Sequence, residues 1–265
     1  MSRFVALPTI TDDSALGGST IERSLRFNGS DTYIQRTSSG GNRRTWTVSF
    51  WAKFCDSSAT TNQRFWSCDG NSGNYDMLKI EFYGGTDSAR RIAIIDQGHA
   101  GSGIRFTLNR KFRDSSAWYH FVFAQDSTQS TASERMKIYV NGVRETEFLD
   151  NSTHNHPPVQ DYQGNVNATG KTNTWGRSFA FGSGTGNYLD GYLANINFID
   201  GAQLTPDNFG YTDPLTGIWR PKEFKFLSDI PNRKGRNFSS TWTASGNGFG
   251  SDSYTHLTLP TKRIV

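Results

Sequence analysis

Between Asp69 and Asp76 the chain reads Asp69-Gly70-Asn71-Ser72-Gly73-Asn74-Tyr75-Asp76, a loop rich in carboxylate and amide oxygens. Oxygen donors of this kind suit a hard cation such as Ca²⁺, with Asp69, Asn71 and Asp76 as candidate ligands. Their spacing is not that of an EF-hand, and a solvated turn accounts for the same residues. The loop also offers groups that recognise sugars, because aromatic faces cover CH patches while amides and carboxylates bond hydroxyls. Asn71, Asn74, Tyr75 and Asp76, joined by Trp66, Trp175 and Tyr188 at neighbouring loop ends, form a candidate carbohydrate-binding set. Each of them taken singly also fits a structural role.

Other chemistries find less support. A retaining glycosidase on a β-sheet face needs two carboxyl groups about 5–5.5 Å apart, and no E-x-D-x-x-E strand is present. Glu145 and Glu147 are the only glutamates two apart, and no acid follows at the required spacing. There is no G-x-S-x-G elbow and no H-E-x-x-H helix. Gly164 to Thr172 imitates a phosphate loop but has one residue too many before Gly170-Lys171. His154 and His156 precede Pro157-Pro158 with no further ligand evident, and read as surface histidines. Cys55 and Cys68 are not in C-x-x-C spacing and flank the turn of a predicted hairpin. A disulfide across that hairpin is open to the pair, but reduced thiols are expected in a protein that is not secreted. The expectation is a chain that is not an enzyme.

Alternating patterns place these residues on strands. In Trp46-Thr47-Val48-Ser49-Phe50-Trp51-Ala52-Lys53-Phe54, the even-numbered residues are apolar, which marks a half-buried strand. Trp51 falls on the polar face and is expected to be covered by a neighbouring loop. In Tyr192 to Phe198, Tyr192, Ala194, Ile196 and Phe198 share one predicted face, with Asn195 and Asn197 on the other. Asp200-Gly201 ends that strand, and a helical turn is expected with Thr205 as N-cap, Pro206 first and Gly210 as stop. Asn141-Gly142 is a hairpin signal of the type that needs positive φ at both residues. Residues 150 to 174 read as a long polar insertion, either a functional loop or a disordered one.

Bulk properties agree with a turn-rich β protein. Only 34% of residues are hydrophobic, but aromatics reach 14%, so rings must fill much of the core. The net charge of +4 arises from 28 basic and 24 acidic side chains with no concentrated basic run, which disfavours nucleic acid as partner. No apolar run approaches the ~20 residues of a membrane helix, so no membrane insertion is expected. Met1 to Pro8 lacks the apolar stretch of a signal peptide.

Several of these segments carry a family resemblance. Ser24-Leu25-Arg26-Phe27-Asn28-Gly29, Thr47-Val48-Ser49-Phe50-Trp51, Trp118-Tyr119-His120-Phe121-Val122, Lys137-Ile138-Tyr139-Val140-Asn141-Gly142 and Asp190-Gly191-Tyr192-Leu193-Ala194 occur in the order found in the laminin-G-like branch of the concanavalin A-like lectin/glucanase superfamily. The chain resembles proteins of marine phages described as tail-fibre or structural components. Asn195 stands where that family commonly has an acidic residue, which weakens the implied Ca²⁺ site. The resemblance implies an all-β, jelly-roll sandwich of two antiparallel sheets over residues 22–222, with an arm at 1–21. It implies a particle-borne recognition module for host surface glycans, in contact with other virion proteins or in a homo-oligomer, with a purely structural spacer or assembly domain of the particle and a glycoside hydrolase of the same fold as the alternative readings. Such a protein is made in the bacterial cytoplasm and located in the virion. Residues 223–252 read as a linker or the start of a second module. Residues 253–265 resemble sequencing-adapter read-through, as in a metagenomic fragment.

Overall fold

The computed structural model describes residues 18–55, 62–68, 78–83, 90–96, 103–149, 155–178 and 187–224, together with the backbone of 243–245. Asp69 to Asp76 and residues 253–265 lie outside the described residues. The first half of the chain supplies β1 (Leu25–Asn28), β2 (Tyr33–Thr37), β3 (Thr45–Phe54), β4 (Gln63–Cys68), β5 (Leu78–Tyr83), β6 (Arg91–Asp96) and β7 (Ile104–Thr107). Then come β8 (Tyr119–Asp126), β9 (Met136–Val140), β10 (Val143–Arg144), β11 (Asn155–His156) and β12 (Thr172–Trp175). The last are β13 (Asp190–Asp200), β14 (Gly210–Thr212), β15 (Trp219–Pro221) and β16 (Thr243–Ser245).

A six-stranded antiparallel sheet has the order β1-β13-β3-β8-β9-β10, and an eight-stranded one the order β11-β7-β6-β5-β4-β12-β2-β16. The two are joined face to face by rings. Trp46 of one sheet meets Trp66 of the other edge-on at 5.9 Å, and Phe50 meets Trp175 at 5.3 Å. Phe54 stacks on Phe82 at 4.7 Å. The expected all-β sandwich is therefore present, and its core is aromatic as composition requires. Asn141 and Gly142 have φ of 47° and 81°, as the predicted turn demands.

The strand β13 departs from its predicted faces. Leu193 enters the core between the sheets, so Tyr192 and Ala194 point outward. Its pairing with β3 then slips between Ala194 and Asn197, with Asn195 at φ 45°. Beyond the slip Ile196 and Phe198 pack on the inner core, while Ile199 joins an outer cluster. An extra residue in one strand inverts every side chain after it. Apolar residues on both sides of the bulge concealed the inversion from a period-two reading. Gly191 is fixed by close approach: a Cβ there would lie 2.4 Å from the Lys53 carbonyl oxygen.

Three further expectations are corrected. The described part of the 150–174 insertion is built into the fold: β11 pairs with β7, β12 lies between β2 and β4, and Tyr162 and Val166 are buried. Its sparse apolar residues bury while its polar ones serve turns. Within 223–252, β16 pairs with β2. Cys55 and Cys68 do not flank a hairpin, because β3 and β4 belong to different sheets. The two thiols are not bridged to each other, and Cys68 is buried, donating to the Asn165 carbonyl at 3.2 Å. At the predicted helical turn Pro206–Asn208 is a single 3-10 turn. Thr205 precedes it without a side-chain capping bond; Asn208 Nδ2 donates instead to the Thr205 carbonyl.

The left-handed backbone at Asn195 suits Asn or Gly and opposes a β-branched side chain. Asn195→Val is expected to destabilise the fold by about 1–3 kcal/mol, whereas Asn195→Gly stays within about 1 kcal/mol of the parent. Urea denaturation of the two variants checks this, and equal midpoints would contradict the bulge.

Candidate functional site

After β13 the chain turns back over the outer face of the six-stranded sheet. Thr47 Oγ1 donates to the Ala202 carbonyl at 2.7 Å and accepts from the Leu204 amide at 2.9 Å. Phe209 and Phe224 then cover Val122, Tyr139 and Ile199. The small β14–β15 hairpin follows. At its loop the amides of Leu215 and Thr216, with Arg220, hold the Asp213 carboxyl down at about 2.

The hairpin is held to the sheet by Trp219. Its indole lies against Gly142 and Gly210, where an added Cβ would approach the ring to 2.5 Å in each case. Trp219 Nε1 donates to His120 Nδ1 at 3.0 Å, and His120 Nε2 meets Ser49 Oγ at 2.8 Å. The imidazole is stacked between Trp219 and Trp51, with centroid separations of 5.9 and 4.9 Å. An indole N–H can only donate, so Nδ1 is the acceptor and the neutral ring carries its proton on Nε2. His120 therefore donates to Ser49 and cannot take its proton. The pair has the distance of a nucleophile and base but the opposite proton arrangement.

Beside this stack lies a cleft of about 430 Å³. Trp51 and Ala194 line it from the sheet, Trp118 from the approach to β8, and Tyr211, Arg220 and Pro221 from the hairpin. Residues 18–24 close the remaining side as a strap. The strap is tied where the Ser19 amide donates to the Pro221 carbonyl at 3.1 Å and where Gly18 bridges Lys222. Thr20, Glu22, Arg23 and Ser24 are exposed along it. Trp118 is the exposed aromatic of the cleft, at 36% accessibility. Its ring stands 6.4 Å from that of Tyr192, over which Arg26 lies at 5.2 Å while pairing with Asp190. A ring with an open face among hydroxyl, amide and charged groups can hold a ligand that has both an apolar face and hydroxyls.

On the opposite outer face, Arg64 and Glu81 form a buried ion pair joined by Lys79. Burial, followed by the nearby Arg64 and Arg105, brings Lys79 down to about 8. Among the described residues no three carboxylate, imidazole or thiol groups come together to hold a metal.

The predicted sugar-contacting set is not assembled as expected. Trp66 and Trp175 are each only 2% exposed and stack on one another at 5.7 Å inside the core, so neither presents a face to a ligand. These are corrections: the rings fill space that aliphatic side chains leave empty. Tyr188 is half-buried just before β13. Asp69, Asn71, Asn74, Tyr75 and Asp76 lie outside the described residues. Trp51 is covered, as expected, though by His120 and the returning C-terminal segment. Trp118 and Tyr192 escaped the sequence reading. Trp118 shares parity with His120 and Val122 on the outward face, a signal that could have singled it out; Tyr192 was hidden by the bulge.

The sequence profile of the concanavalin A-like lectin/glucanases superfamily matches residues 28–208. The chain belongs to that superfamily, in its laminin-G-type branch. No curated protein matches it in sequence. Among solved structures it is similar to a heptameric SAP-like pentraxin from Limulus polyphemus, at 18% identity and TM-score 0.45, covering 69% of this chain and 78% of that one. It is similar to the CBM40 of a Ruminococcus gnavus sialidase bound to α2,3-sialyllactose, at 12% identity and TM-score 0.44, covering 72% and 96%. A tailspike protein of an Escherichia coli O157:H7 bacteriophage matches at 12% identity and TM-score 0.47, covering 74% of this chain but 24% of that one.

Burial holds His120 down at about 3, against about 6.5 in an unfolded chain. The unfolded state therefore binds the proton first, and stability present above pH ~6.5 is lost as the pH falls toward 3, with a slope approaching about 1.4 kcal/mol per pH unit. His120→Phe is expected to lower stability at neutral pH and to flatten this stretch of the pH profile. Urea midpoints measured between pH 7 and pH 4 check it.

Proposed function

We propose that the protein is a non-catalytic carbohydrate-recognition module, and that it binds glycans in the cleft between the strap, the hairpin and the outer sheet face. The observation that carries this reading is the open ring of Trp118 beside a polar rim in a concave site. Sugars present CH patches to such a ring and hydroxyls to such a rim. Membership of a superfamily of lectins and glucanases supports a saccharide as ligand. The absence of an E-x-D-x-x-E strand and the reversed Ser49–His120 proton arrangement favour binding over hydrolysis. The sequence resemblance to phage structural proteins supports a place on a virion, with host surface glycans as targets. Ca²⁺ held by Asp69, Asn71 and Asp76 belongs to the same proposal.

The test is a glycan array probed with the full chain, run with Ca²⁺ and again with chelator. Saturable binding is expected, and Trp118→Ala should weaken it by about tenfold or more while leaving the near-UV circular dichroism of the core intact. Binding that survives Trp118→Ala moves the site elsewhere. Loss in chelator assigns a role to the cation.

A second reading, an assembly domain, is favoured by one observation. Leu215, Ile218 and Val143 are 90%, 58% and 60% exposed, and Ile218 and Val143 flank the contact of Trp219 with Gly142. Apolar side chains gathered on a surface mark contacts with other proteins. If that reading holds, light scattering shows an oligomer that Leu215→Glu with Ile218→Glu dissociates.

A further inference from the structure

Trp118, the exposed ring of the cleft, belongs to a row that crosses four chain segments. Arg26 of β1 is opposite Tyr192 of β13, and Tyr192 is opposite Lys53 of β3. Ala52 is opposite Tyr119, so the next position of the same register sets Lys53 beside Trp118. Lys53 thus stands between the strands that carry the two rings, whose centroids are 6.4 Å apart. The order across the sheet is cation, ring, cation, ring.

The two cations differ in their surroundings. Arg26 is paired with Asp190 at 2.6 Å. Lys53 makes no ion pair within the described residues. The carboxylate that acts on it at longer range, Asp114, is fully exposed and accepts bonds from the Ser116 amide and hydroxyl. Arg23 of the strap, also without an ion pair among the described residues, lines the same cleft; Glu22 beside it supplies one negative charge, and Arg220 is matched by Asp213.

A sugar seated on Trp118 and Tyr192 spans the strand position of Lys53 that lies between them. Covering a lysine with a neutral ligand removes its water without supplying a counter-charge, which is costly. A ligand that brings an anion turns that cost into a charge-assisted bond. We propose that this row selects glycans bearing an anionic group, a carboxylate or a sulfate, with the sugar ring on Trp118 and Tyr192 and the anion on Lys53. This rests on the glycan-binding reading of the cleft.

The experiment measures binding of the full chain to polygalacturonate, a sulfated galactan, neutral dextran and oligo(dT). Lys53→Met, Lys53→Arg and Trp118→Ala are compared with the parent, and near-UV circular dichroism confirms their folding. At least one acidic polysaccharide is expected to bind roughly tenfold more tightly than dextran, and less tightly as salt rises. Whichever of the uronate or sulfate probes binds identifies the anion. Lys53→Met should remove that preference, Lys53→Arg should retain it, and Trp118→Ala should weaken every sugar. Equal binding of dextran and the acidic polymers, or an unchanged preference in Lys53→Met, overturns the inference and leaves the glycan reading standing. Oligo(dT) bound as well as the acidic sugars overturns it in favour of simple polyanion attraction. Silence toward all four probes by a folded protein overturns this proposal and removes the support for glycan binding together.

Discussion

Aromatic packing between two sheets is the constraint on which this protein depends. Rings such as Trp46, Trp66, Trp175, Phe50, Phe54, Phe65 and Phe82 share the space between the sheets with isoleucine, leucine and valine side chains. Rings prefer edge-on or offset contacts at defined separations, so they fix the distance and angle of the sheets more tightly than flexible aliphatics do. This explains why so many tryptophans lie inside a chain whose suggested function calls for them outside. The core takes the aromatic supply first, and the surface keeps a few.

One of those few, Tyr192, stands on a strand divided by a single irregularity. The bulge at Asn195 inverts the later part of β13, so that one strand serves two cores. Before the bulge its outward residue Ala194 lines the floor of the cleft, and Tyr192 stands beside Trp118. After it Ile199 supports the returning chain, whose Phe209 and Phe224 complete the second cluster. The same slip divides the outer face into a covered half and an open half, and the cleft lies at the border.

Much of the sandwich was legible from the chain alone. The strand of Trp46 to Phe54 repeats strictly at period two and folds as read, and Asn141-Gly142 forms its turn because side-chain sterics leave few alternatives. The site was less legible. Periodicity says that a residue faces inward or outward within one strand, but it does not say which outward faces a later segment will cover. His120 points outward from β8 and is nonetheless buried, because Trp219, 99 residues later, folds back upon it. Trp66 and Trp175 lie near loop ends in sequence, which made them resemble a binding surface. Only the pairing of β12 with β4 shows them stacked within the core.

The walls of the cleft have an origin distinct from its floor. The superfamily profile spans residues 28–208, while the strap is residues 18–24 and the hairpin wall is Tyr211, Arg220 and Pro221. Both walls therefore lie just outside the stretch that defines the sandwich, one on each side of it, and they are tied to each other through Ser19 and Pro221. Substitutions in these flanks leave the aromatic core untouched. Substitution there reshapes the two walls of the cleft while the scaffold and Trp118, which lies within the profile, stay constant, much as interchangeable jaws are mounted on one handle.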